Sequence, residues 1–267
     1  MKKILSLILA GMMCMTMASC GGKTEKTATQ SGSDSDMGYV ESNGKMIIGY
    51  TDYEPMNYTD ENGEFVGFDT ELAKAVCEKL GVTPEFVEID WDNKFIALKS
   101  KSIDCIWNGM TITDEVKLNA DVTKPYVKNA QVVVMNKDKA DSYKSIEDLK
   151  GLKFVAEAGS AGEAAIADNG LDENYTAAGA QTDALLEVKS GSADACVIDI
   201  TMAKAMTGEG TSYESLTAVM ELTSEEYGIA FRQGSDITEK VNSILDDLKA
   251  DGTLDELAEK YELTLAL

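Results

Sequence analysis

Asp199 follows the apolar run Cys196, Val197, Ile198, so a strand would carry its carboxylate to the mouth of a sheet. Ligands of open parallel sheets lie beyond the carboxyl ends of strands, and a carboxylate placed there can hold an ammonium group. The same residue could equally cap the helix that starts near Thr201. Ser160-Ala161-Gly162-Glu163 reads as a capping box behind an Ala158-Gly159 turn. The helix end it opens carries free N–H groups and partial positive charge, which suits a carboxylate or phosphate, although such boxes begin helices of every kind. Asn108-Gly109-Met110-Thr111 follows another apolar strand. Gly109 permits close backbone approach and Thr111 offers a hydroxyl. Tyr53, Trp91 and Trp107 stand beside strand ends in a chain that is 7% aromatic, where their rings could flank a ligand or fill the core.

The residues that are missing exclude as much as these suggest. There is no histidine, which removes the usual general base, proton shuttle and commonest metal ligand, so no metal or cofactor is expected. Arg232 is the only arginine. The acidic run 59–64 lacks the ligand spacing of a calcium loop and reads as a hairpin turn at Asn62-Gly63. Cys77, Cys105 and Cys196 contain no C-x-x-C pair and read as small buried core residues. The formal charge of −23 becomes −25 once Lys2 and Lys3 leave with a signal segment, so nucleic acid and anionic headgroups are repelled.

Met1-Lys2-Lys3 opens a basic, then apolar, N-terminus that closes with small residues before Cys20, which is secretory signal logic. About 14 apolar residues are too few to cross a bilayer that needs roughly 20. Met17-Ala18-Ser19-Cys20 resembles the lipobox of bacterial lipoproteins, with Met17 where leucine is usual. The resemblance implies a signal peptide over 1–19, an acylated Cys20 as the mature N-terminus, and a protein held on the outer face of the cell membrane. Residues 20–44, rich in Gly, Ser, Thr, Lys and Asp, read as a flexible leash of about 25 Å reach.

Beyond it some 225 residues remain, enough for two lobes of about 100 residues each. Apolar strands near 46–49, 84–89, 103–107 and 131–135 alternate with amphipathic helices over 70–80 and 93–100, which means βαβ units and mostly parallel sheet. A second series follows: strands over 153–156 and 195–198, helices over 161–168, 182–190 and 201–206, then strands near 216–222 and 227–231. Asp236-x-x-Glu239 and Thr253-x-x-Glu256 read as capping boxes for two C-terminal helices.

Gly63-Glu64-Phe65-Val66-Gly67-Phe68-Asp69-Thr70-Glu71-Leu72-Ala73, then Gly109-Met110-Thr111-Ile112-Thr113-Asp114-Glu115, Tyr227-Gly228-Ile229-Ala230 and Lys249-Ala250-Asp251-Gly252-Thr253-Leu254 resemble the extracellular solute-binding proteins of polar amino-acid ABC importers. The likeness runs through 45–267. It implies an α/β, two-lobe, type II periplasmic-binding fold, each lobe a mostly parallel sheet flanked by helices, with a two-strand hinge. Lobe 1 would span 45–131 and 229–267, and lobe 2 would span 132–228. The resemblance further implies that Asp199 holds a ligand α-ammonium and that the turn Gly159-Ser160-Ala161 meets its carboxylate with help from Thr111. It places Tyr53 and Trp91 beside the ligand side chain, Asn108 and Gly109 at its border, and Glu157 where side chains are selected. The family usually places an arginine where this chain has Val116, so either Lys117 and the Ser160 helix end share the carboxylate or the ligand is not an ordinary α-amino acid. The expected partners are an amino acid and an ABC importer permease, with the protein monomeric and no bond made or broken. Two rivals share the scaffold, a dehydratase-like enzyme and a ligand-sensing receptor module.

Overall fold

The computed structural model describes residues 35–267. The signal segment, Cys20 and the spacer as far as residue 34 lie outside the described residues.

Chain order through the first part is α1 (Asp36–Asn43), β1 (Lys45–Tyr50), β2 (Tyr58–Thr59), β3 (Phe65–Val66), α2 (Phe68–Leu80), β4 (Thr83–Glu88), α3 (Lys94–Lys99), β5 (Cys105–Thr111), α4 (Asp114–Asn119), β6 (Asp121–Val122) and β7 (Val127–Asn129). The second part runs β8 (Gln131–Asn136), α5 (Lys137–Ala140), α6 (Ile146–Leu149), β9 (Phe154–Glu157), α7 (Ala161–Asp168), β10 (Tyr175–Ala178), α8 (Gln181–Ser190), β11 (Ala195–Asp199), α9 (Ile200–Met206) and β12 (Leu216–Glu221). Then come β13 (Glu225–Phe231), α10 (Ile237–Ala250) and α11 (Thr253–Lys260).

Two large sheets result, one per lobe, beside the two-stranded pair of β2 and β3. The first has the order β4-β1-β5-β13-β6, with β7 also on β13. Its β1 is parallel to β4 and β5, and β13 runs antiparallel to β5. The second has the order β10-β9-β11-β8-β12, with β9 parallel to β10 and β11, and β8 antiparallel to β11 and β12. The strands β5, β8, β9 and β11 are buried nearly throughout, as sheets covered on both faces require. The chain passes between the sheets twice, at Ala130 between β7 and β8 and again between β12 and β13. β13 joins the first sheet from Glu225, ahead of the boundary read at residue 228, because Tyr227 and Gly228 already pair with Thr111 and Met110 of β5.

Local signals explain much of this. α2 buries Phe68, Leu72, Ala73, Val76 and Cys77 on one face and ends on Gly81 in the left-handed conformation. Asn62-Gly63 does turn a hairpin, β2 pairing with β3, and Asp60 steadies it by accepting from the N–H groups of Asn62 and Glu64. Cys77, Cys105 and Cys196 are buried and free.

Three readings need correction. The flexible leash ends before α1: Ser35 caps that helix by accepting from Gly38 N, and Met37 and Val40 are buried against the first lobe. A polar eight-residue stretch has little helix propensity of its own, so docking makes it helical. Asp236 does not cap α10; its carboxylate accepts from Ser35 Oγ and Met37 N and so holds α1 instead. Thr253 lies inside α11, whose cap is Gly252.

Candidate functional site

The cleft between the lobes encloses a cavity of about 310 Å³. Lobe 1 reaches it through Trp91 and the end of β5, and lobe 2 through the ends of β9 and β11 and the start of α7.

Asp199 closes β11 and is 6% exposed. It occupies the cap position of α9, yet its side chain makes no capping bond. The carboxylate is turned to the cleft, where Gln181 Nε2 donates to Oδ2 at 2.6 Å, and Tyr227 Oη and Gln131 Nε2 donate to Oδ1 at 2.6 and 2.9 Å. Asn129 Nδ2 also donates to Oδ1. Oδ2 therefore carries one donor and keeps a lone pair free. Gln181, at the start of α8, locks the residue further by accepting from the Asp199 N–H at 3.0 Å. Glu225, at the second crossing, shares two of these donors and adds a third: Asn129 Nδ2, Gln131 Nε2 and Thr111 Oγ1 reach its Oε1 at 2.7, 2.8 and 2.8 Å. Burial, and then the Glu225 charge, push the Asp199 carboxyl well above the usual carboxylate range. An added cation would relieve both costs.

Glu157 ends β9 and is 2% exposed. Its Oε1 has no hydrogen-bond partner, and burial pushes the carboxyl up to about 8. A buried oxygen left unpaired costs free energy unless something fills the space before it. At the start of α7, Ser160 Oγ accepts from Glu163 N at 3.2 Å, and Glu163 in turn accepts from Gly159 N at 2.6 Å. The capping box read from sequence is present, with its carboxylate one residue further back than the pattern specifies.

The first lobe supplies a rigid wall. Asn108 donates to Thr51 O and Asn57 Oδ1 and accepts from both donors of Thr51, so its side chain is spent inside the lobe. Gly109 has φ of 56°, and a Cβ there would lie 2.7 Å from Tyr53 Cε1, so no larger residue fits. Asp69 accepts the Gly109 N–H at 2.6 Å, with burial raising its carboxyl to about 7.

Eight of the residues singled out in the sequence line this cavity: Trp91, Asn108, Gly109, Thr111, Glu157, Ser160, Ala161 and Asp199. Two do not. Tyr53 is buried behind Gly109, its hydroxyl bonded to Thr201 and Tyr227. Lys117 faces another depression with Asp121, Glu226 and Glu239, because one residue along α4 turns a side chain through about 100°. Sequence reasoning missed Lys94, Gln181 and the hinge set Asn129, Gln131 and Glu225. Only the position of Gln181, just after a strand and opening a helix, offered a signal.

Two lobes joined by two crossings, closed over a polar cavity, define a solute-binding protein of the two-lobe periplasmic type. The chain belongs to the bacterial extracellular solute-binding proteins, family 3, whose model matches residues 46–264. It is 31% identical to the arginine-binding extracellular protein ArtP of Bacillus subtilis (strain 168) over 98% of both chains. Among solved structures it resembles a mutant of ArgBP from T. maritima, with TM-score 0.79 and 36% identity over 85% of this chain and 98% of that one. An ancestral amino acid-binding protein, a precursor of cyclohexadienyl dehydratase, matches with TM-score 0.79 and 35% identity over 85% and 99%. The relatives are amino-acid-binding proteins of ABC importers, and members of the family are extracellular.

Proposed function

We propose that this protein captures an amino acid with a cationic side chain by lobe closure and delivers it to an ABC importer permease, working as a monomer anchored through acylated Cys20. The observation that carries the reading is the pairing of two buried cleft carboxyls with a helix N-terminus. Asp199 has a lone pair directed at the cavity, Glu157 has an oxygen without a partner, and α7 begins beside them. Asp199 would hold the α-ammonium, the N–H groups at the start of α7 the carboxylate, and Glu157 the distal cation, with Trp91 against the aliphatic stem. Closure supports the reading as well, since Tyr53 of lobe 1 and Thr201 of lobe 2 already meet through their hydroxyls.

Calorimetry against the common amino acids tests it. The wild type should bind L-arginine or a similar cation, and Asp199→Ala should weaken that binding well over tenfold, because a buried charge loses its partner. Unchanged affinity would refute the assignment. Mass spectrometry of the mature chain from a membrane fraction should show a diacylglyceryl-sized addition on Cys20, lost in Cys20→Ala; an unmodified N-terminus in the membrane fraction would remove the anchor.

One observation favours a second reading. With its carboxyl raised to about 8, Glu157 holds a proton at neutral pH and could act as a general acid in a dehydration. Appearance of product on incubation with a prephenate-like acid would support it; intact substrate recovered after prolonged incubation would end it.

A further inference from the structure

The cleft is one-sided in charge. Asp114, Glu115, Glu157, Asp168 and Asp199 line it, and among the described residues Lys94 is the one basic side chain that does. Val116, aliphatic and buried, lines the cleft without a charge. Lys117 faces elsewhere. A zwitterion placed here would bring its carboxylate into a field of five carboxyls, so some cation must offset it.

Lys94 meets the requirement by geometry. It opens α3 in lobe 1, is 5% exposed, and carries its ammonium across the cleft to Gly159 O of lobe 2 at 2.8 Å, with Trp91 O at 3.2 Å. An ammonium has three donors, so one remains beyond these two. Gly159 belongs to the turn that leads into α7, an eight-residue helix whose Ala161 and Gly162 N–H groups have no acceptor among the described residues. The Trp91 ring lies 5.2 Å from the ammonium and fixes it from one side. The buried and unpartnered Glu157 Oε1 in the same cavity shows that the space is shaped for a ligand that is not protein.

We infer that Lys94 is the carboxylate-binding cation of this site: its ammonium and the N-terminal N–H groups of α7 hold the ligand's α-carboxylate together, and because the ammonium also bonds Gly159 O, it does so only when the lobes are closed. This rests on the amino-acid reading above and names the residue that makes it work without an arginine clamp.

The test compares L-arginine with agmatine, the same molecule without its carboxylate, by calorimetry on the full chain. Should another common amino acid bind the wild type more tightly, it and its decarboxylated amine replace them. Lys94→Met should weaken the amino acid about thirtyfold or more and the amine less than threefold. Val116→Arg added to Lys94→Met should restore the amino acid at least tenfold and leave the amine unimproved. Thermal melting of each variant separates a loss of fold from a loss of contact. Equal weakening of both ligands by Lys94→Met in a folded variant would overturn the assignment while leaving the amino-acid site intact. A wild type that binds no amino acid would overturn the site reading and this inference with it.

Discussion

Two buried ionisable side chains of the first and second lobes make opposite use of their surroundings. The Arg232 guanidinium, just past β13, is engaged through all three nitrogens: Nε forks onto Asp36 at 2.9 and 3.0 Å, Nη2 reaches Asp104 at 3.1 Å, and Nη1 donates to Ile103 O at 2.8 Å. Glu157, in the cleft, has an oxygen with no partner among the described residues. A satisfied buried charge fixes structure, here the docking of α1 on the first lobe, whereas an unpaired buried polar atom facing a cavity leaves room for a partner from outside. The distinction matters because residue type alone would have ranked the lone arginine as the more promising anion site.

The largest effect expected from breaking this contrast is on stability. Arg232→Met leaves the buried Asp104 without its cation and Asp36 with only Lys101 at 3.5 Å, and should cost about 3–5 kcal/mol, seen as a lower melting temperature, while the affinity for ligand changes less than threefold. A variant that melts normally but fails to bind would place Arg232 in the site. Next comes Gly159→Ala. Gly159 has φ of 68°, and a Cβ there would stand 2.9 Å from the Cα of Asp92 in the opposite lobe. Left-handed strain and that contact together should weaken ligand binding about tenfold, through closure, with the ligand-free melting temperature nearly unchanged. A large drop in ligand-free stability with normal affinity would show the turn to be structural.

The smallest effect concerns protons. Glu157 is raised from 4.5 to about 8 by burial, so the folded protein holds this proton through neutral pH. Its contribution favours the folded state fully below pH 4.5 and is lost as pH rises through about 8, so ligand-free wild type should lose stability relative to Glu157→Gln across that window. Binding of a cation ionises the group. Calorimetry at pH 7 in buffers of differing ionisation enthalpy should therefore record up to about one proton released by the wild type and less by Glu157→Gln. Equal release by both would remove Glu157 from the ligand's neighbourhood.

How far the sequence disclosed this arrangement depended on distance along the chain. Asp199 was visible because it directly follows an apolar strand, Ser160 because a capping pattern follows a strand and its turn, and the Asn62-Gly63 turn because its chemistry is local. The hinge network was not, since Gln131, Asp199 and Glu225 are far apart in sequence and meet only when the two crossings lie side by side. Nothing in the sequence sets Lys94 apart within the helix over 93–100; the approach of Gly159 from the other lobe gives it its partner. The helix α1 escaped because its stability comes from Arg232 and Asp236, nearly 200 positions away, rather than from its own residues.

A crystal structure of the chain grown with L-arginine tests the central claim most directly. The expected density places the α-ammonium against Asp199 Oδ2, the guanidinium toward Glu157 and the carboxylate between Lys94 and the start of α7. Density for the amino acid outside the cleft, or inside it with the ammonium remote from Asp199, would contradict the assignment.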